Sequence, residues 1–438
     1  MALVDMGCAD MAVNFHQTSI QPFHITNFLF IGQDARTCQF MESYSIQCYV
    51  YKADKAAGRS SLYRSVDFLR KMNIRTYMII DALNLGYHVL HTDVDMTFMR
   101  NPFAHFRFDR QFDVAPLWDM GGWNAGFIFV RNTPGALKLY EESRKITEKS
   151  PKVDDQQSLN MAIKSMKKKG ILTMIGLDDK KFVCGRRFWE SGQREFDTDA
   201  ACSECVVVHD NWIVSMEAKR YRLREMHFWM YDGRDRYYTH PDRKYLTFDI
   251  AVPEKKIDSK KLWQLQVDSL KTALAMGAIL NRTVILPQFL CEKNKKLERC
   301  SLLSISYLKL LEPHFKDAFR ESSFLRHKLV PQSTKNSKSP QHLIKSSAFS
   351  QFYPDAAQSG DYTVHEPLSS SGATPREVLQ WFDHDTHKVL VFKSLFGAMS
   401  SSSYQMAPLS GEFAAKLKAG IASHGGDYRQ YDKPVKKT

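Results

Sequence analysis

Between Asn73 and Gly86 the chain keeps a helical period, and then drops it within one residue. Ile74, Met78, Ala82 and Leu85 recur at intervals of four, four and three, which sets them on one helical face. Gly86 stands where a capping glycine ends a helix, because glycine takes the left-handed backbone without a steric penalty. Tyr87–Thr92 is then short, apolar and β-rich, the pattern of a buried strand. A helix that hands over directly to a buried strand is the building unit of an α/β sheet.

The same alternation runs through residues 1 to about 230. "ITNFLFIG" (Ile25–Gly32), "IQCYVY" (Ile46–Tyr51), "FDVAPLW" and "AGFIFVRN" have strand character. "PGALKLYEESRKI", with Pro134 in its first turn, and "DDQQSLNMAIKSMKKK", capped by Asp154 or Asp155, have helical character. The fold class is therefore α/β, a sheet covered by helices. With 438 residues the chain exceeds the size at which single cores stop growing, so two domains are expected. Residues 1–232 form the first and 233–250 a polar linker. Residues 251–438 form a smaller α/β accessory domain, opened by a long Leu/Ala helix ending near Asn281. The Ser/Pro-rich stretch 331–375 is expected as a flexible insert. Asn281-Arg282-Thr283 is a glycosylation sequon, expected to be buried at a helix-to-strand junction.

Charge excludes less than it suggests. The formal excess of +13 lies largely in surface-type runs such as "KSMKKKG" and the terminal "KPVKKT", with no nucleic-acid motif beside them; no nucleic-acid partner is expected. Of eight cysteines only Cys202 and Cys205 form a CxxC. A structural zinc site asks for two such pairs, so a local disulfide or plain buried thiols are expected instead. No apolar run approaches the length of a membrane span.

The strand Tyr87–Thr92 ends in Asp93 and Asp95. Two residues apart on an extended backbone, both carboxylates face one side. They stand at a strand's carboxyl end, where α/β sheets gather ligands. Two like charges in apolar surroundings are costly to keep ionised, and a divalent cation offsets that cost while accepting diphosphate oxygens. Taken alone, such a pair is as easily two turn aspartates. The context adds "GGWNAGFIFV", with Trp123, Asn124 and Gly126 at a strand entry. It adds Asp155 and Gln156 at a helix N-terminus, where amide groups attract anions. It also adds His209 at the end of "VVVHD", with Lys219 ten residues on. His209 is a third metal ligand or a hydrogen-bonded core residue. Trp123, Trp212 and Trp229 are either the floor of a sugar groove or core packing.

In their order, "LGYHVLHTDVDMTFMRNPF", "WNAGFIFVRNTPGALKLYEE", "DDQQSLN" and "HDNWI…K" resemble the nucleotide-diphospho-sugar transferase family, which includes plant rhamnogalacturonan xylosyltransferases and extensin arabinosyltransferases (glycosyltransferase family 77). The resemblance covers about the first 230 residues. It implies a GT-A type, Rossmann-like mixed sheet and a retaining transfer from a UDP-sugar to a glycan or glycoprotein. It implies Mn2+ (Mg2+ as the alternative) held by Asp93, Asp95 and His209. Lys219 neutralises the leaving diphosphate, Trp123, Asn124 and Gly126 line the donor pocket, and Asp155 and Gln156 face the anomeric carbon. It implies the Golgi lumen, with the family's membrane anchor absent from these residues and a first strand reduced to Met1–Met6. Family members tend to carry glycine where this chain has Ser215 or Met216, and a homologue that binds without turnover is the alternative expectation. "LQVDSLKTALAMGAILNRTVILPQFLC" and "LVFKSLFGAM" resemble, more weakly, the Rossmann-like half of O-fucosyltransferases.

Overall fold

Strand β1 (Ala2–Val4) is apolar and buried along its length, and it pairs with β2 in the first sheet. The computed structural model describes residues 1–51, 66–190, 202–250, 258–293, 296–315, 317–352, 361–399, 415 and 419–421. The run "KPVKKT" lies outside the described residues. The chain divides into two units, residues 1–219 with 228–231, and residues 220–227 with 232–438.

In the first unit β1 is followed by helix α1 (Ala9–Phe15), β2 (Phe30–Gly32), α2 (Ala35–Glu42) and β3 (Cys48–Val50), and the three strands pair in parallel. Cys38 and Cys48 form a disulfide between α2 and β3. It lies against Gly32, where a Cβ would come 2.5 Å from the Cys38 sulfur, so only glycine fits. Helix α3 (Val66–Asn84) leads through Gly86, at φ +90°, to β4 (Val89–Thr92). β5 (Met96–Phe98), β6 (Val114–Trp118) and β7 (Trp123–Val130) follow, and β7 pairs antiparallel with both β4 and β6. The Met1 nitrogen donates to Leu90 O at 2.7 Å and Thr92 N donates to Met1 O at 3.1 Å. These bonds set Met1, just before β1, against β4, and so place the three-stranded sheet β1-β2-β3 beside the three-stranded sheet β4-β7-β6. Helices α4 (Pro134–Lys149) and α5 (Asp155–Lys168) pack Leu139, Tyr140, Leu159 and Ile163 on Ile128 and Val130 of β7. Each such fully buried aliphatic contributes roughly 1.5–3 kcal/mol. A small third sheet holds β8 (Phe182–Val183) and β9 (Val207–His209) beside β5; α6 (Gly185–Glu190) and α7 (Met216–Glu225) complete the elements, with α7 belonging to this unit as far as Lys219.

Two local expectations shift. The buried face of α3 runs through Met78, Ile79 and Leu83, while Leu85 is 74% exposed, because the helix ends before its last turn reaches the sheet. The strand expected from Ile25 begins only at Phe30, since residues up to His24 continue helical turns from α1.

The second unit is built on a parallel six-stranded sheet. Its strands are β10 (Tyr245–Phe248), β11 (Thr283–Ile285), β14 (Phe319–Arg320), β15 (Lys338–Ile344), β16 (Tyr362–His365) and β17 (Val389–Phe392), in the order β14-β11-β10-β17-β15-β16. The long helix is α8 (Ser259–Ile279), and a hairpin of β12 (Phe289–Lys293) and β13 (Lys296–Cys300) carries the disulfide Cys291–Cys300. Shorter helices are α9 (Leu308–Phe315), α10 (Gln332–Asn336), α11 (Ser347–Phe352) and α12 (Pro375–Phe382). The expected linker 233–250 ends in β10, a buried strand inside this sheet; its "YLTF" was masked by the polar run before it. The stretch 331–375, expected as a flexible insert, contains α10, β15, α11 and β16. Its serines serve the sheet rather than solvent: Ser339, buried, accepts from Val391 N at 3.0 Å, and Ser337 accepts from Lys388 N at 2.9 Å. Asn281, expected to be buried, is exposed in a left-handed turn at φ +50°. No helix among the described residues is long and apolar enough to cross a membrane.

Candidate active site

The pairing of β5 with β9 brings together parts of the chain more than a hundred residues apart. Met96 lies opposite His209, and Asp210 N donates to Asp95 O at 2.7 Å. His209 therefore arrives beside the two aspartates that end β4. Its Nε2 lies 3.3 Å from Asp95 Oδ1 and 3.7 Å from Asp93 Oδ2. One ligand atom from each of Asp93, Asp95 and His209 falls within 4.8 Å of the others. Two carboxylates and an imidazole are a donor set that fits a divalent cation of the Mn2+ type, since imidazole suits Mg2+ less well.

Gly126 explains how Asp93 reaches this position. Asp93 N donates to Gly126 O at 2.7 Å, and a Cβ on Gly126 would come 2.2 Å from Asp93 Oδ2. The glycine lets the carboxylate lie flat against β7. Two cations complete the group. Lys219, in the first turn of α7, places Nζ 2.5 Å from Asp95 Oδ2. Arg75 of α3 forks between Asp93 Oδ1 at 2.7 Å and Asp155 Oδ2 at 3.1 Å. Burial would raise the Asp95 carboxyl, but Lys219 and His209 outweigh it and hold it well below the usual carboxylate range. The reverse holds for His209 and Lys219: burial opposes their charge, and Asp95 raises both. Asp155 differs. Burial, aided by Asp154 and Asp93 and opposed by Arg75, pushes it up to about 6.

Asp154 makes a capping box with Gln157 at the start of α5, which orients the next two residues. They diverge. Asp155 turns to Arg75, and Gln156 turns to Asp119. Asp119 is a hub: Oδ2 accepts from Asn124 at 3.0 Å and from Gln156 Nε2 at 3.4 Å, while Oδ1 accepts from Asn211 at 3.1 Å and the Trp212 indole at 2.5 Å. Gln156 Oε1 accepts from Asn124 and from Ala125 N. Trp123 stands edge-on to Trp118, 5.0 Å between ring centres, and its backbone is held on both sides by Asn160. Trp212 belongs to the hub, and Trp229 is fully buried in the core.

Sequence reasoning missed Arg75, Asp119 and His91. Arg75 carried a signal, a charge three residues before Met78 and four before Ile79 on a buried helix face. Asp119 carried the same one as Asp93, an acid at the end of an apolar strand. His91, fully buried on β4 with neither ring nitrogen hydrogen-bonded, lies 3.9 Å from Asp93 and was hidden within an apolar run.

Fold and site together define an α/β domain with an acid–imidazole cage at the carboxyl ends of its strands, where such sheets hold their ligands. The part of the chain that builds it, residues 23–223, matches the family model described as nucleotide-diphospho-sugar transferase. Among curated relatives, a UDP-galactose:fucoside alpha-3-galactosyltransferase of Dictyostelium discoideum is 28% identical over 38% of this chain and 29% of its own length. An arabinosyltransferase of Arabidopsis thaliana is 26% identical over 61% of this chain and 50% of its own. A UDP-D-xylose:L-fucose alpha-1,3-D-xylosyltransferase of the same plant is 25% identical over 36% and 49%. The chain thus spans half or less of the length of these relatives.

Proposed function

We propose that the chain is a metal-dependent glycosyltransferase that moves a sugar from a UDP-sugar to a glycan or glycoprotein acceptor in the Golgi lumen, retaining the anomeric configuration. The observation that carries this reading is the meeting of Asp93, Asp95 and His209 within 4.8 Å, next to Lys219, in a domain that matches this family model. Relatives named for UDP-galactose and UDP-xylose support a UDP-sugar donor.

In this reading Asp93, Asp95 and His209 hold Mn2+, or Mg2+ less well, and the ion when bound supplies Lewis-acid neutralisation of the leaving diphosphate. Lys219 adds a second positive charge at the same place and offsets the negative charge that develops as the bond to the sugar breaks. Asn124, fixed by Asp119 and Gln156, lines the donor pocket together with Gly126 and Trp123. Asp155 and Gln156 face the anomeric carbon. Arg75 keeps Asp155 oriented and favours its ionised form, the form that stabilises positive charge on the sugar ring.

The test is UDP release from UDP-galactose, UDP-xylose, UDP-glucose and UDP-arabinofuranose with Mn2+ and glycan acceptors. Asp95→Ala is expected to lower turnover by roughly 10²–10³-fold while the fold survives. Full activity in that variant would remove the basis of the reading. A second reading, a homologue that binds nucleotide or glycan without turnover, is favoured by one observation: Ser215 adds a hydroxymethyl group at φ +128° on the approach to Lys219, where the resemblance leads one to expect glycine. Calorimetric UDP binding that ignores Mn2+, with no UDP release, supports that reading over the first.

A further inference from the structure

The second unit contains a cavity of about 430 Å3, within the range of small-molecule sites. It opens at the amino ends of the strands: Arg243 precedes β10 and Asp317 precedes β14. Apart from Pro241 its lining is charged or polar, supplied mainly by Arg234, Arg236, His240, Asp242, Arg243 and Asp317.

The loop that carries the first of these is built with care. Asp232 accepts from Tyr238 N at 2.6 Å and from the Thr239 hydroxyl at 2.5 Å, and Tyr237 N donates to Asp232 O at 2.8 Å. This turn holds Arg236 at φ +49°, a left-handed backbone that a non-glycine residue adopts at a cost. Neither Arg234 nor Arg236 has a side-chain partner among the described residues. Arg243 turns Nη2 toward Asp317 at 3.6 Å, yet its Nη1 is buried with no hydrogen-bond partner. The buried Arg320 approaches the same Asp317 oxygen at 3.5 Å. Three guanidinium groups of the lining (Arg234, Arg236 and Arg243) thus face three carboxylates (Asp235, Asp242 and Asp317), so the lining is balanced in formal charge and the buried Arg243 Nη1 is the donor left over. What is missing is an acceptor.

We propose that this cavity binds an oxyanion, the carboxylate or phosphate group of a small acidic ligand or glycan end, through Arg243 with Arg234 and Arg236. Guanidinium groups match both anions with paired N–H donors. The ligand fills the buried donor of Arg243 and gives the strained position of Arg236 its use.

Titration calorimetry of the full chain with inorganic phosphate and, separately, D-galacturonate tests this, each against sodium chloride at matched ionic strength. One-to-one saturable binding is expected for at least one probe, and the probe that binds identifies the source, phosphate ester or acidic sugar. Arg243→Ala is expected to weaken it about ten-fold or more. Arg236→Gly is the more searching variant. Glycine is at ease at φ +49°, so the melting temperature is expected to match or exceed that of the unaltered chain while affinity falls. Asp95→Ala is expected to bind unchanged; loss there moves the anion to the first unit and overturns the proposal. So does heat that follows ionic strength alone, or affinity untouched in both arginine variants.

Discussion

Asp155 is the residue at which burial and charge are most finely opposed. The folded chain holds its proton up to about 6, whereas an unfolded aspartate releases it near 3.8. Between those values the folded state binds more protons, so this group's contribution to stability falls as pH rises through the window. The loss is on the order of 3 kcal/mol and is complete above pH 6. Asp155→Asn removes the dependence. Denaturant unfolding at pH 4.5 and pH 7 is expected to show the variant gaining on the unaltered chain at the higher pH; an equal difference at both would mean Asp155 titrates normally. Ser215 sets two effects against each other. Its hydroxyl accepts from Ala218 N at 3.1 Å and caps α7, but its φ of +128° suits only glycine. Losing the cap to glycine costs a few tenths of a kcal/mol, and relieving the backbone returns about 1–2. Ser215→Gly is therefore expected to stabilise by about 1 kcal/mol, read as a higher denaturation midpoint at constant slope.

At the scale of elements, α5 shows how a cap becomes part of a site. Asp154 Oδ1 accepts from Gln157 N at 2.7 Å, and this bond fixes the turn from which Asp155 and Gln156 depart toward different partners. Asp154→Ala is expected to cost about 1 kcal/mol. It is also expected to lower UDP release, because both side chains lose their anchor; stability loss with unchanged kinetics would show that Arg75 and Asp119 suffice to place them. The cap was legible in "DDQQSLN", as were Gly86 and the aspartates at the end of β4, because each rests on local backbone chemistry. The partners of these residues were not. Arg75 reaches Asp155 from a helix eighty residues earlier, and Asp119 gathers Asn211 and Trp212 from over ninety residues later. Such contacts depend on strand order and register, which no spacing in the sequence encodes. The same limit hid β15, whose serines look solvated until the pairing with β17 puts Ser339 against Val391.

Across the whole molecule, six of the eight cysteines are paired, Cys38 with Cys48 and Cys202 with Cys205 in the first unit, and Cys291 with Cys300 in the second. Disulfides of this kind persist in oxidising compartments, which is consistent with the lumenal location proposed above. The sequence left Cys202 and Cys205 open between a bridge and buried thiols, and its other cysteines without assigned partners. The short separations limit what each bridge contributes. A loop of nine or ten residues removes about 2.5–3 kcal/mol of unfolded-state entropy, and a loop of three about 1.5. Reduction is expected to destabilise each unit without abolishing its sheet, since neither sheet is closed by a disulfide. Cys38→Ala with Cys48→Ala is expected to lower unfolding free energy by about 2.5–3 kcal/mol, and the pair at 202 and 205 by about half that. Gly32 sharpens the expectation, because the Cys38 sulfur fills the space beside it and two alanines leave a gap on β2. A first-unit double variant as stable as the unaltered chain would mean the bridge forms without stabilising the fold. The link between oxidation and stability would then rest on the two remaining bridges.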